Sequence, residues 1–273
     1  MVKICLIGLG KTGKEIAKMI LKNKNMELVS VLCSPNSSKK NRDLGEILKI
    51  QKTDIKIESI DTLEQNILKS KPDIVIDFSN PEATLKNANL ISKMKVNMVI
   101  GTTGFSEIDL KKLETLATKN HTGMVYAPNI TVGINVLMIL TKLASVLLND
   151  YDFNISEIHH KNKKDSPSGT ALKIATEIEN GLKYSGKDIN ESKISINSIR
   201  AGGVVGKHTV SIVGEDDIIT ISHESFSRKV FALGAIYAIN FIQNKIGFYE
   251  MSDILCLSKV IEDLYLSQQT NAL

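Results

Sequence analysis

The stretch that decides the fold is Val2-Lys3-Ile4-Cys5-Leu6-Ile7-Gly8-Leu9-Gly10-Lys11-Thr12-Gly13. Its apolar first half predicts a strand, and Ile16, Met19 and Ile20 continue at helical spacing. In a G-x-G-x-x-G turn the first glycine permits the turn, the second lets a pyrophosphate approach, and the third lets helix and strand pack closely. The helix N-terminus presents N–H groups and a positive dipole end to phosphates. The stretch therefore predicts a dinucleotide-binding turn, with a sharp turn that binds nothing as the alternative.

The same alternation of strand and helix patterns continues through the first half of the chain. Pro81 suits the first turn of one helix, and Ser106 with Asp109 three residues later resembles a capping box. Crossover units of this kind predict an α/β fold with a Rossmann-like, doubly wound parallel sheet. The further strands are predicted at Leu28 to Leu32, Ile74 to Phe78, Met98 to Ile100 and Gly123 to Ala127.

The pattern changes after Asn129. The four residues from Gly214 to Asp217 predict a hairpin, and hence an antiparallel or mixed sheet. We expect residues 1–129 to form the first domain and residues from 130 onward to form a second, α+β domain. Its predicted elements are a helix at Ile134 to Asn149, a strand at Asn154 to His159, a helix at Ala171 to Leu182, strands at Ile194 to Ser198, Thr209 to Val213 and Ile218 to His223, and a helix at Arg228 to Asn244.

Composition narrows the class of protein. The 273 residues are 42% hydrophobic and 23% charged, which is typical of globular proteins. A net charge of +4 and an aromatic content of 5% without Trp argue against a nucleic-acid partner. The apolar segments are shorter than the ~20 residues that span a bilayer, and no signal peptide is recognisable. The three cysteines lack metal or redox spacing. We expect a cytoplasmic protein with reduced thiols and no metal.

The segment from His159 to Ala171, HHKNKKDSPSGTA, combines three kinds of chemistry. Its two histidines suit proton transfer near neutral pH. Its three lysines attract an anion, and Ser168-Gly169-Thr170 opens a predicted helix, where hydroxyl and N–H groups bind carboxylates. Each part also has a structural explanation, namely a buried histidine, a solvated turn or a helix cap. The joint occurrence of all three on one strand–loop–helix unit favours a site.

The end of the second predicted strand bears on the choice of cofactor. NAD-binding turns are expected to have an acidic residue about 20 residues after the glycines, to hold the ribose 2′-hydroxyl. Here Cys33 and Ser34 occupy that place, and Lys39, Lys40 and Arg42 follow. The basic residues favour the 2′-phosphate of NADPH over NADH, although a solvated basic loop explains them equally well.

Several motifs in the same order resemble the 4-hydroxy-tetrahydrodipicolinate reductase (dihydrodipicolinate reductase) family of lysine and diaminopimelate biosynthesis. The resemblance covers nearly the whole chain. The matching segments are Gly8 to Gly13, Asp77-Phe78-Ser79, Gly101-Thr102-Thr103-Gly104, Ala127-Pro128-Asn129, His159 to Ala171, Arg200-Ala201-Gly202 and Gly206-Lys207-His208.

The resemblance implies an NAD(P)H-dependent oxidoreductase that reduces 4-hydroxy-tetrahydrodipicolinate to tetrahydrodipicolinate. By match to the motif, His159 is the acid/base residue and Lys163 the proton donor, while His160, Ser168, Gly169 and Thr170 hold the substrate carboxylates. The implied cofactor contacts are Gly8 to Gly13, Ser34, Gly101, Thr102, Thr103, Ala127, Pro128, Asn129 and Ile130.

The resemblance also implies an architecture. Residues from about 240 to 273 return to the dinucleotide-binding domain, and residues 130–239 form a substrate-binding domain that builds a homotetramer. The alternatives are an amino-acid dehydrogenase of the same two-domain plan, or a non-catalytic protein that senses a dinucleotide. Neither alternative requires the His159 to Ala171 segment.

Overall fold

The computed structural model describes residues 1–187, 194–256, 259–260 and 262. The chain divides into two compact units, Met1–Ile130 with Phe231–Leu273, and Thr131–Val230. Residues 263–273, at the end of the predicted return to the first domain, lie outside the described part. No helix in the described part is long and apolar enough to cross a membrane.

The secondary structure has the following bounds. The strands are β1 (Val2–Ile7), β2 (Met26–Cys33), β3 (Ile57–Ser59), β4 (Ile74–Asp77), β5 (Asn97–Ile100), β6 (Gly123–Tyr126), β7 (Asp152–His159), β8 (Ser195–Arg200), β9 (Gly206–Val213), β10 (Ile218–Ser225) and β11 (Gly247–Glu250). The α-helices are α1 (Lys11–Lys22), α2 (Leu44–Leu48), α3 (Leu63–Ser70), α4 (Pro81–Lys93), α5 (Glu107–Lys119), α6 (Val132–Leu147), α7 (Gly169–Tyr184), α8 (Lys229–Ile242) and α9 (Met251–Leu255). A 3-10 turn spans Ile60–Thr62.

The first unit is built on one parallel sheet with the order β11-β6-β5-β4-β1-β2-β3. Successive side chains of a strand point to opposite faces, so each buried strand serves two cores. Ile4 and Leu6 of β1 pack with side chains of α1 and α8. Cys5 and Ile7 pack with side chains of α3, α4 and α5. This two-sided core confirms the predicted doubly wound fold.

The sequence patterns located the central strands and missed the short ones at the edges. The predicted N-terminus of α4 forms with Pro81 in the first turn, and Asn80 accepts the N–H of Ala83. The predicted capping box of Ser106 and Asp109 is present at α5. β3 and β11 were not predicted, because neither has the run of buried residues that made the four-residue strands β4, β5 and β6 recognisable.

The second unit holds a four-stranded mixed sheet with the order β10-β9-β7-β8. β7 is parallel to β8 and antiparallel to β9, and β9 forms the predicted hairpin with β10. The hairpin closes where the N–H of Gly214 donates to the carbonyl oxygen of Asp217 at 2.9 Å. Helices α6 and α7 cover one face of the sheet through a shared apolar core. The second unit thus has the predicted α+β architecture.

Candidate active site

The glycine-rich turn joins β1 to α1. Gly8 has φ +93°, and a Cβ there would lie 2.5 Å from the carbonyl oxygen of Phe78. A Cβ at Gly13 would lie 2.0 Å from the carbonyl oxygen of Gly8, so helix and strand could not pack this closely. Gly10 has open space beside it and caps α1 without a side-chain hydrogen bond. The N-terminus of α1 therefore has room for an anion. The other turn residues differ in exposure: Leu9 is buried, Thr12 half-buried and Lys11 exposed.

The basic loop after β2 places one lysine against this turn. Lys39 donates from Nζ to the carbonyl oxygen of Leu9 at 2.7 Å. Arg42 instead forms an ion pair with Glu46. Ser34, the first residue after β2, is exposed. Of the predicted cofactor-selecting residues, Lys39 thus has a direct contact with the glycine-rich turn.

The remaining predicted cofactor segments begin at the same edge of the sheet. The last residues of β1, β4, β5 and β6 are direct neighbours in the strand register. Gly101 to Thr103 and Ala127 to Ile130 follow β5 and β6, as the glycine-rich turn follows β1. The carboxyl ends of parallel strands are where doubly wound sheets bind ligands. The fold therefore brings these three segments to one edge.

The side chains at this edge differ in whether a bound cofactor could contact them. A Cβ at Gly101 would lie 2.1 Å from the ring of Phe78. Thr102 is buried and donates its hydroxyl to the carbonyl oxygen of Asp77 at 3.4 Å, whereas Thr103 is exposed. A cofactor contact of Thr102 would therefore use its backbone. The residues after β6 include two buried ones, Ala127 and Ile130, and two half-buried ones, Pro128 and Asn129.

A buried carboxylate shapes the turn that follows β4. Asp77 Oδ1 accepts the N–H of Ser79 at 2.9 Å, and its Oδ2 accepts from Asn87 at 3.1 Å. Burial raises the pKa of Asp77, although these hydrogen bonds oppose the shift. In the described part of the chain, the hydrogen-bond partners of this carboxylate belong to the turn and to α4. Asp77 therefore orders the loop beside Gly8 rather than facing a ligand.

In the second unit, the two histidines occupy different surroundings at the end of β7. His159 is 8% exposed, and its Nδ1 bonds to the carboxylate of Glu157, which lies two residues earlier on the same face of the strand. Burial lowers the pKa of His159, Glu157 opposes this shift, and the charges of Lys163 and Arg200 add to it. The neutral imidazole is thereby favoured, with Glu157 holding one of its nitrogens.

Glu157 is fully buried but stays charged. Its Oε1 accepts from Arg200 Nη2 at 2.7 Å and from the N–H of Ser168 at 3.1 Å. Burial alone would raise the pKa of Glu157, but hydrogen bonds from Arg200, Ser168 and His159 outweigh it and lower the pKa to about 2. The same Arg200 nitrogen donates to the carbonyl oxygen of Asp165 at 2.6 Å, which ties the loop after β7 to the sheet.

Ser168 connects this network to helix α7. Its Oγ accepts the N–H of Ala171 at 3.2 Å as the helix cap, and lies 3.3 Å from Nε2 of His208. Burial and, to a smaller extent, the nearby His159 lower the pKa of His208 to about 3, so His208 is neutral. The rings of His208 and His159 meet edge to face, with centroids 5.1 Å apart. Both polar groups of Ser168 thus have partners within the protein.

Lys163 differs from its neighbouring lysines. Its Nζ lies 2.9 Å from Oδ2 of Asp165, and 23% of its side chain is exposed. Lys161 and Lys164 are exposed residues. The Lys163 ammonium and the N–H of Gly169 lower the pKa of Asp165 against the effect of its partial burial. Lys163 and the start of α7 therefore already hold one carboxylate.

The rest of the predicted carboxylate-binding group surrounds this position. His160 is half-buried, and its carbonyl oxygen accepts the N–H of Lys163 at 3.0 Å. Among the described residues, no hydrogen-bond partner is found for its buried Nδ1. Gly169 is exposed with open space beside it, and Thr170 is half-buried in the first turn of α7. Gly169 and Thr170 thus lie in the first turn of α7, and His160 is connected to Lys163 through its backbone.

The same cluster includes one set of side chains of metal-ligand type among the described residues. Single atoms of Glu157, His159 and His208 lie within 4.8 Å of one another. Two histidines and a carboxylate are a donor set that zinc accepts. Here the carboxylate already pairs with Arg200, so a cation would enter beside a guanidinium charge. The geometry favours a hydrogen-bonded network over a metal centre.

Sequence reasoning assigned no role to three members of this network. Glu157 was detectable, since a residue two positions before His159 shares its face of the strand. Arg200 and His208 lie in segments that match the family, but local sequence could not place them in this network, because their contacts depend on how β7 pairs with β8 and β9. Arg200 pairs with His159 across β8 and β7, and His208 pairs with Glu157 across β9 and β7.

Two family models match this chain. The one described as "Dihydrodipicolinate reductase, N-terminus" matches residues 2–130, and "Dihydrodipicolinate reductase, C-terminus" matches residues 133–255. Together they cover both units, with their junction close to the division between the units.

Individual relatives agree with these matches. A 4-hydroxy-tetrahydrodipicolinate reductase of Methanococcus aeolicus is 34% identical, covering 95% of this chain and 100% of the relative. One of Methanopyrus kandleri is 38% identical, covering 93% and 97%. Among solved structures, a dipicolinate-bound dihydrodipicolinate reductase from Paenisporosarcina sp. TG-14 is 29% identical with a TM-score of 0.75, covering 92% of this chain and 97% of that one.

Proposed function

Because this chain belongs to the dihydrodipicolinate reductase family, we propose that it reduces 4-hydroxy-tetrahydrodipicolinate to tetrahydrodipicolinate in diaminopimelate and lysine biosynthesis. The chain is an oxidoreductase with a dinucleotide-binding unit and takes its hydride from NAD(P)H. The class of substrate is inferred from the carboxylate of Asp165, which forms an ion pair with Lys163 and accepts a hydrogen bond from the N–H of Gly169. A substrate carboxylate suits the same two donors.

The carboxylates of the substrate are bound at the start of α7. Lys163 supplies a positive charge, and Gly169 and Thr170 supply N–H groups at a helix N-terminus. His160 adds an imidazole nitrogen without a hydrogen-bond partner in the described part of the chain. Ser168 acts through its position, because its hydroxyl and N–H already bond to His208, Ala171 and Glu157. A dicarboxylate fits this arrangement better than a neutral ligand does.

Proton transfer is assigned to His159 and Lys163. A bound nicotinamide would supply the hydride for the ring carbon that is left unsaturated when the 4-hydroxyl is lost as water. A proton must then reach the adjacent atom, and Lys163 is the donor. His159 is the acid/base residue, since its buried imidazole has one nitrogen bonded to Glu157 and the other without a carboxylate partner. The charge of Lys163 is near enough to lower the pKa of His159, which supports a shared site.

The dinucleotide is held along the sheet edge of the first unit. Gly8 to Gly13 and the N-terminus of α1 suit its pyrophosphate, and Gly10 leaves the open space that a phosphate needs. Gly101 to Thr103 and Ala127 to Ile130 serve the nicotinamide half. Lys39 lies on the turn and attracts a 2′-phosphate, so NADPH is the preferred cofactor. The homotetramer stays a prediction from the family resemblance, and the cytoplasmic location stays a prediction from the sequence.

The reaction is tested by following NADPH and NADH absorbance with purified protein. Oxidation is expected only when the aldol product of pyruvate and aspartate semialdehyde is supplied, and diaminopimelate with oxidised cofactor should give no reaction. Absence of oxidation with both cofactors would exclude the function.

The cofactor preference has a separate test. Lys39→Ala should raise KM for NADPH by about ten-fold, since an ion pair to a phosphate is a charge-assisted contact worth about 1–2 kcal/mol. KM for NADH should stay unchanged. Lys40→Ala is the matched control in the same loop. Equal effects on the two cofactors would contradict the assignment of Lys39.

A further inference from the structure

The carboxylate of Glu157 is the centre of the buried network in the second unit. The side chain is fully buried, and each oxygen faces a donor: Oε1 accepts from Arg200 and from the N–H of Ser168, and Oε2 bonds to His159. A buried charge with this many hydrogen bonds is costly to build and is tolerated when the bonds are satisfied. The Glu157 carboxylate contacts His159 and the backbone of Ser168. It contacts none of the other groups that are assigned to the substrate.

The bond between Glu157 and His159 determines which imidazole nitrogen carries the proton. An ionised carboxylate only accepts hydrogen bonds, so Nδ1 of His159 must be the N–H in the neutral ring. Nε2 is then the nitrogen with a free lone pair. The backbone of Gly206 passes beside it, and a Cβ there would lie 3.0 Å from Nε2. The absence of a side chain at Gly206 therefore keeps space at the nitrogen that exchanges protons.

We propose that Glu157 is the positioning residue of His159, which holds the imidazole with Nδ1 protonated and Nε2 directed to the reacting ligand, while Arg200 keeps Glu157 ionised. The proposal rests on the proposed function, in which His159 is the acid/base residue. Arg200 has a second effect, because it also bonds to the carbonyl oxygen of Asp165 in the loop that contains Lys163. The guanidinium of Arg200 thus connects the network that positions His159 to the loop that contains the proton donor, Lys163.

The charged and titratable groups that face His159 come from four parts of the second unit. Glu157 lies on the same strand, Arg200 on β8, His208 on β9 and Lys163 in the following loop. His208 is neutral at the pH of an assay, so it adds no charge. Glu157 is thus the one negative group among these four, and its removal leaves two positive neighbours acting on His159.

The first test is the pH dependence of Glu157→Gln. Glutamine offers one acceptor oxygen instead of two and no charge. We expect kcat to fall by about 100-fold, within the range that general acid–base catalysis contributes, with little change in KM. The limb of the kcat/KM profile that belongs to His159 should move to lower pH, since Glu157 raises the pKa of that histidine. Glu157→Asp restores the charge and should move the limb back toward its wild-type position.

The matched control is Glu224→Gln on strand β10 of the same sheet. Glu224 also pairs with a basic residue, Lys207, at 3.6 Å, but lies outside the network. The Glu224→Gln substitution should leave kcat and both limbs of the pH profile unchanged. If Glu157→Gln lowers kcat without moving either limb, the carboxylate has only a structural role and the proposal is overturned.

A second measurement uses the wild-type protein, so it does not depend on the folding of a variant. Nitrogen NMR of ¹⁵N-histidine-labelled protein, assigned with His159→Gln, reports the tautomer directly. Protonation at Nδ1 of His159 at neutral pH is expected, and protonation at Nε2 overturns the proposal. Full activity of His159→Gln would instead refute the acid/base assignment of the proposed function. Loss of activity in His159→Gln with wild-type behaviour of Glu157→Gln would refute the positioning role alone.

Discussion

Replacing Ser168 by alanine should destabilise the second unit more than an ordinary helix-cap substitution does. The change removes the bond from the N–H of Ala171, and loss of a cap costs about 1 kcal/mol. It also leaves Nε2 of His208 without its hydroxyl partner at a site where Ser168 is 1% exposed and His208 4%. An unsatisfied buried polar group costs a further ~1–3 kcal/mol. The free energy of unfolding should therefore fall by about 2–4 kcal/mol.

Urea unfolding followed by circular dichroism measures this loss, and Ser185→Ala is the matched control. Ser185 lies at the other end of the same helix, where its hydroxyl bonds to the carbonyl oxygen of Leu182 at 2.8 Å in a half-buried setting. Its replacement should cost less than about 1 kcal/mol. Equal losses for the two variants would refute the reasoning, because they would show that the contact with His208 contributes nothing.

Three further predictions concern charge in the same cluster. Lys163→Ala should lower kcat by at least about 100-fold with little effect on cofactor binding, whereas Lys164→Ala should not; steady-state kinetics and cofactor titration distinguish the two. Asp165→Asn should lower KM for the dicarboxylate substrate by about two- to five-fold, since the exposed ion pair that it removes is worth up to about 1 kcal/mol. The pKa of His208 falls from 6.5 to about 3 on folding, so the unfolded chain takes up a proton between these values. The free energy of unfolding should therefore decrease as pH falls from 6.5 toward 3, and His208→Gln should flatten that dependence in urea titrations.

Most of the first unit was predictable because its strands are buried on both sides and its turns have specific residues. β1, the glycine-rich turn and the start of α5 at Ser106 were all located from local sequence alone. β3 and β11 were not, because each is a short edge strand whose existence depends on the neighbour that it pairs with. Local patterns record the burial of a strand but not its partners.

The candidate site was likewise predictable only where its residues lie in one segment of the sequence. His159, Lys163 and the start of α7 lie within one segment, so their residue types and spacing were readable together. Arg200 and His208 come from strands 41 and 49 positions after His159, and only the pairing of β7 with β8 and β9 brings them to it. The sequence also suggested that the Ser168 side chain contacts the ligand, whereas its bonds to His208 and Ala171 are a property of the folded chain.

The contact of Asp165 with Lys163 and Gly169 has a consequence for how the ligand is recognised. A carboxylate that binds at this position replaces one that the protein already provides, so binding is an exchange of anions. The observed affinity then reflects the difference between two carboxylates and not the full attraction of a lysine for one of them. A ligand with a single carboxylate gains little from such an exchange. A ligand with two carboxylates gains from the contacts of the second as well, so we expect selectivity for dianions.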